Sequence, residues 1–189
     1  MDGCLELVPS GRVRVALVYP NTYHLGMSNL GLQTVYRQIN RMPQGVCERV
    51  FLPDPAEGAS APLSVESRRP LGDFDVDAFS ISFESDYPNV LKVLHAAGIP
   101  LTTRGRSREH PLVLAGGVAC MLNPEPVSPF VDCFLIGEAE ALLEPFFARF
   151  DPEADRRGML KTLARAGLVS ARAEGHFEGA VDRGVGDRV

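Results

Sequence analysis

Two hydrophobic periods alternate along this chain. Short β-branched runs give way to stretches in which apolar residues recur every three or four positions. "VRVALVYP" (13–20) reads as a strand buried on both faces and ended by proline. After a turn, Leu32, Val35, Tyr36 and Ile39 trace one face of a helix, with Ser28 or Asn29 as its cap. "VCERVFLP" (46–53) predicts a second strand, and the turn formers over 54–75 predict a loop with at most a short helix. "VDAFSISFES" (76–85) predicts a third strand. Tyr87, Val90, Leu91 and Leu94 form a second helical face, capped by Ser85 or Asp86, with Pro88 in its first turn and Gly98 as its stop.

The segment 99–110, with Arg104, Arg106 and Arg108, reads as a basic, solvated connection. "PLVLAGG" (111–117) is the fourth strand, and the proline-broken stretch 118–130 has room for a short helix. "VDCFLIGEAE" (131–140) is the fifth strand, and Leu142, Leu143, Phe146, Phe147 and Phe150 make a third helical face around Pro145. Beyond Asp151 one helix is expected over roughly 153–166, ended by Gly167. The remaining tail has little apolar content and no period, and is expected to be disordered or a connection.

Strands alternating with helices predict an α/β fold. The expectation is a flavodoxin-like (Rossmann-like), doubly wound five-stranded parallel sheet over 1–150, followed by a helical connector and disordered tail over 151–189. In such sheets ligands bind outside the carboxyl ends of the strands. The unusual residues gather at those ends: after Tyr19, after Ile81, at Gly116-Gly117 and at Gly137-Glu138.

Composition narrows the function. The chain has 189 residues, 45% hydrophobic and 23% charged, as an ordinary globular protein has. A net charge of −5 argues against a general nucleic-acid or anionic-membrane surface, so neither DNA, RNA nor a membrane is expected as a partner. The start of the chain lacks a signal-peptide pattern and no run reaches the ~18 apolar residues of a membrane span, so a cytoplasmic location is expected. Cys4, Cys47, Cys120 and Cys133 are scattered without metal-site spacing and read as free thiols.

The first turn, "YPNTYHLGMSNLG", has neither GxGxxG nor a P-loop lysine, which disfavours a dinucleotide or nucleoside-triphosphate site. Its small and neutral polar residues suit a bulky, uncharged-faced ligand lying over the sheet edge. The paired glycines would let such a ligand, or another backbone, come close. Ser80 and Ser82 share a strand face and are candidate contacts at its carboxyl end.

"VALVYPNTYHLGMSNLGLQTVY", "DAFSISFES" and "VLAGGVACMLNPEPVSPFVDCFLIGEAEA" together resemble the amino-terminal cobalamin-binding-type domain of radical SAM proteins, over roughly residues 13–150. The resemblance implies a flavodoxin-like domain preceding a barrel that carries CxxxCxxC, a [4Fe–4S] cluster and S-adenosylmethionine, a motif absent from this chain. In cobalamin domains of the methionine-synthase type, DxHxxG follows the first strand and its histidine ligates cobalt. Here the stretch is Asn21-Thr22-Tyr23-His24-Leu25-Gly26, so the aspartate is missing and His24 is one position late. His24 is therefore read as a pocket-rim residue rather than a cobalt ligand.

The family's SxL corresponds to Ser80-Ile81-Ser82 and its GG to Gly116-Gly117, which by resemblance line the slot for the nucleotide tail. The implied cofactor-binding set is Asn21, Tyr23, His24, Gly26, Met27, Ser28, Ser80, Ser82, Gly116, Gly117, Asn123 and Glu138, with no catalytic residue. The leading expectation is thus a cobalamin-binding module that presents its upper face to a radical SAM domain, in cis or in trans. A degenerate module that docks or gates without corrinoid is the alternative, and a flavodoxin-like nucleotide-binding protein a second.

Overall fold

A computed structural model describes residues 11–53, 61–173 and 176–178. Five strands, β1 (Val13–Tyr19), β2 (Gly45–Phe51), β3 (Val76–Ser80), β4 (Leu112–Gly116) and β5 (Cys133–Leu135), form one sheet in the order β2-β1-β3-β4-β5. Every pairing within it is parallel. Helices α2 (Leu30–Arg41), α3 (Tyr87–Ala96), α5 (Ala139–Phe147) and α6 (Arg156–Arg165) cover its faces, with the short α1 (Tyr23–Met27) and α4 (Val118–Leu122) at its carboxyl edge. This is the doubly wound, flavodoxin-like arrangement that the alternating periods predicted.

Each strand contributes alternate residues to two cores. Val15, Leu17, Val76, Leu114 and Cys133 face α2, α5 and α6, where Leu32, Ile39, Leu143, Phe146 and Leu163 meet them. Ala16, Val18, Phe79, Val113 and Phe134 face α3, through Val90, Val93 and Leu94. Burial of apolar side chains on both faces is what makes the strands continuous hydrophobic runs rather than alternating ones. Cys47, Cys120 and Cys133 are buried free thiols, raised in pKa by desolvation, Cys120 to about 12. Cys4 lies outside the described residues.

Several expectations change. The turn after β1 is a helix, α1, because Gly26 lets it lie directly on Phe51. The third strand stops at Ser80 rather than at residue 85, and the fifth is three residues long. Asp86 takes the N-cap position of α3, but its carboxylate makes no cap bond and instead accepts from Asn21 Nδ2 at 2.8 Å.

The basic connection is not wholly solvated: Arg106 is buried and ion-paired to Asp132 at 2.9 Å. It also donates to the carbonyls of Pro100, Leu101 and Phe130. The last helix starts at Arg156, capped by Asp155, and the chain then turns back to the sheet. Ser170 exchanges two backbone hydrogen bonds with Phe134, at 2.8 and 2.9 Å. Residues Ala171–Ala173 (β6) and His176–Glu178 (β7) pair as an antiparallel hairpin, where a disordered tail had been expected; the rest of that tail lies outside the described residues.

Candidate functional site

The loops that follow β1, β3, β4 and β5 carry no lysine or arginine, and they meet at one edge of the sheet. The first two are tied together. Asn29 caps α2 by accepting from the Leu32 N–H at 2.8 Å while its Nδ2 donates to Ser82 Oγ at 3.1 Å. Asn21 binds Asp86, and Asn89 donates to the Pro20 carbonyl at 3.0 Å. Desolvation raises the Asp86 pKa, and the bond from Asn21 opposes it. The loop after β4 is anchored to α3 by the Tyr87 hydroxyl, which donates to the Asn123 carbonyl at 2.7 Å.

The twin glycines have different surroundings. Gly117 sits at φ +101°, and a Cβ there would meet the Ile81 carbonyl oxygen at 2.5 Å, so its backbone packs on the end of β3. Gly116 has no such φ, and its Cβ position lies 3.2 Å from the Leu135 oxygen. Gly116 pairs in register with Ser80 on the face shared with Ala78, toward α2 and α5. Ala78, Ser80 and Gly116 all remain partly exposed although they belong to the interior strands β3 and β4. These three small residues form a half-buried strip at the carboxyl ends of β3 and β4, on the face that α2 and α5 cover. The Ser80 hydroxyl has no hydrogen-bond partner among the described residues, and Glu138, exposed at the N-cap position of α5, makes no cap bond.

The sequence-selected residues thus divide between two places. Ser80, Ser82 and Gly116 lie at this strip, with Glu138 at its rim. Tyr23 and His24 instead line a cleft of about 370 Å³ beside the end of β2, with Phe51 and the 61–68 segment. The His24 imidazole is exposed and has no side-chain hydrogen bond among the described residues, so the carboxylate partner of a cobalt-ligating histidine is absent in space as well as in sequence. Gly26 serves packing: a Cβ would come within 2.2 Å of the Phe51 ring. Met27 turns toward β2, where Arg49 and Gln33 donate to its sulfur. The Ser28 hydroxyl is used locally, donating to the His24 carbonyl at 2.8 Å. Gly117 and Asn123 contribute backbone.

Sequence reasoning missed the apolar crown of this edge. Leu30, Leu122 and Phe83 are 83, 77 and 64% exposed, and Leu25, Val118 and Met121 are also open to solvent. All six lie in or next to the loops after β1, β3 and β4. Their signal was apolar residues in turns, where polar ones are usual. Among the described residues no group of three His, Cys, Asp or Glu could hold a metal ion, and no helix is long and apolar enough to cross a membrane.

The small residues lie at the carboxyl ends of the central strands, the edge at which doubly wound α/β sheets hold ligands when they bind them. Residues 31–170 match the family described as radical SAM proteins, N-terminal, and the chain belongs to that family. It is also similar to an uncharacterized protein of Methanocaldococcus jannaschii, 24% identical over 142 residues, which are 74% of this chain and 28% of that protein. The chain thus spans little more than a quarter of that relative's length.

Proposed function

We propose that this chain is the cofactor-binding module of a radical SAM enzyme and that its cofactor is cobalamin. The observation that carries the reading is the half-buried strip of Ala78, Ser80 and Gly116 at the carboxyl ends of β3 and β4. Interior strands normally bury their side chains completely, and here three small positions stay half-buried, one of them carrying a hydroxyl without a hydrogen-bond partner among the described residues. The donor set fits an amide-rich, weakly charged ligand: Ser80 and Ser82 hydroxyls, bare backbone at Gly116, and the Glu138 carboxylate as acceptor for an amide or ribose hydroxyl. His24 lies at the other cleft, so Ser80, Ser82, Gly116 and Glu138 would hold the cofactor through its amide- and hydroxyl-bearing periphery.

Cobalamin, when bound, would supply a cobalt centre able to carry a methyl group. The chain's own residues orient and desolvate. The six exposed apolar side chains stand in or next to the loops at the carboxyl edge, which a following radical SAM domain, with its [4Fe–4S] cluster and S-adenosylmethionine, would cover in cis or in trans. Exposed apolar patches of this kind mark interaction surfaces.

The test is retention of hydroxocobalamin by the purified chain after desalting, read as corrinoid absorbance. Near-stoichiometric colour in the parent and its loss in Ser80→Leu are expected. A colourless parent would overturn the cobalamin reading. The second reading, a docking and gating module without corrinoid, would then stand, favoured by the Asn29–Ser82 and Asn21–Asp86 bonds that already tie the two loops. A yellow, fluorescent preparation would point instead to a flavodoxin-like nucleotide binder.

A further inference from the structure

The cleft beside the end of β2 is separate from the strip and has its own chemistry. Tyr23, His24 and Phe51 line it together with Pro62, Val65 and Arg68. Its volume, about 370 Å³, lies within the range of small-molecule sites. The rings are held rather than loose. Tyr23 meets Phe51 edge-on at 5.2 Å and 74°, and His24 at 5.8 Å and 79°. Tyr23 is nevertheless 48% exposed, so its ring presents aromatic surface to the cleft that the protein itself does not use.

Arg68 supplies the polar element. Its guanidinium has no hydrogen bond or ion pair among the described residues, whereas its neighbour Arg49 is bound to Glu66 at 2.8 Å and lies 4.3 Å over the Tyr36 ring. Arg68 is also the one non-glycine residue at positive φ among the described residues, at +60°. A side chain there costs backbone energy that a glycine would avoid, and strain of this sort collects where a residue is needed for its side chain. An arginine without a partner among the described residues, in a cleft lined by aromatic rings, recognises a flat ring joined to one anionic group.

We infer that this cleft is a second binding site, for a small aromatic ligand bearing a single phosphate or carboxylate, with the ring against Tyr23 and the anion on Arg68. The site does not rest on the cobalamin reading.

The probes are adenosine 5′-monophosphate, phenyl phosphate, adenosine and inorganic phosphate, each titrated into the full chain by calorimetry and followed by saturation-transfer NMR. Binding of either ring-bearing phosphate, at least tenfold tighter than adenosine or phosphate, supports the inference, and the preferred one identifies a nucleotide or a simple aryl source. Arg68→Gly should keep or raise the melting temperature, since glycine accepts the φ of +60°, while removing most of the affinity for the phosphorylated probe. Tyr23→Ala should weaken the ring-bearing probes and leave hydroxocobalamin retention unchanged. Absence of binding by both ring-bearing phosphates, equal binding of adenosine, or unchanged affinity in a folded Arg68→Gly protein would overturn it.

Discussion

Replacing each of the twin glycines by alanine separates fold from site. Gly117 adopts φ +101° and ψ 174°, a region open essentially to glycine alone, and a side chain there costs about 1–3 kcal/mol. The added Cβ also falls 2.5 Å from the Ile81 carbonyl oxygen, and because that atom is backbone the strand end must move. Overpacking of this kind costs about 1–3 kcal/mol more. The sum, about 4 kcal/mol, corresponds to a fall in melting temperature of about 8–16 °C for a chain of this size.

Gly116→Ala meets the Leu135 oxygen at 3.2 Å without a positive φ. Its crowding is offset by the reduced entropy of the unfolded chain, worth about 0.4–1 kcal/mol, so a shift of no more than about 4 °C is expected. The methyl group nevertheless enters the strip, and corrinoid retention should fall. Thermal unfolding by circular dichroism and corrinoid absorbance after desalting read the two effects. A Gly117→Ala protein that melts within 3 °C of the parent would refute the backbone argument. A folded Gly116→Ala protein with undiminished corrinoid would refute the strip as its seat.

Other substitutions probe the scaffold. Burial without a hydrogen bond holds the Asp77 carboxyl well above the usual range, against the pull of Arg106 and with Asp132 adding to the rise. The folded chain therefore binds a proton there that the unfolded chain releases near pH 4, and stability should fall as pH rises from about 4 toward the raised pKa. Asp77→Asn should flatten that slope in urea midpoints measured across it, and an unchanged slope would count against the assignment. Arg106→Met leaves Asp132 with Arg156 as its remaining ion-pair partner, at 3.3 Å, and should lower stability by about 3–5 kcal/mol in urea unfolding. Asn29→Ala removes the α2 cap, worth about 1 kcal/mol, and frees Ser82, so amides of 81–84 should exchange faster with solvent.

The sheet and its main helices were legible because their signal is local. Val15, Leu17, Leu32 and Ile39 announce their burial through spacing alone. What escaped depends on distant partners. Nothing in "RGRSRE" distinguishes Arg106 from Arg104 or Arg108; Asp132, at the start of β5, selects it. The alternation of Ser80, Ile81, Ser82 and Phe83 continues past the true strand end, because what stops the ladder is the turn at Gly117 in the neighbouring strand. Residues of the first turn looked like one site, yet α1 carries Tyr23 and His24 toward β2 while Asn29 stays beside Ser82. A helix of five residues has too little length for a period to show.

The two ends of the sheet differ in a way that bears on how such a module could work. At the amino edge the ion pairs Arg14–Asp75, Arg106–Asp132 and Arg156–Asp132 join β1, the segments before β3, β4 and β5, and α6. Arg106 and Asp132 are almost completely buried, where removal of one partner strands the other, so this edge resists rearrangement. At the carboxyl edge the links between loops are single hydrogen bonds, each worth about 0.5–1.5 kcal/mol to a neutral side chain or carbonyl and about 1.5–3 kcal/mol to the Asp86 carboxylate. Local opening should therefore concentrate at the carboxyl edge while the opposite edge keeps the strands in register. The Asn29–Ser82 bond is one such link, and an apolar partner closing over Leu30, Phe83 and Leu122 would gain more than that bond is worth.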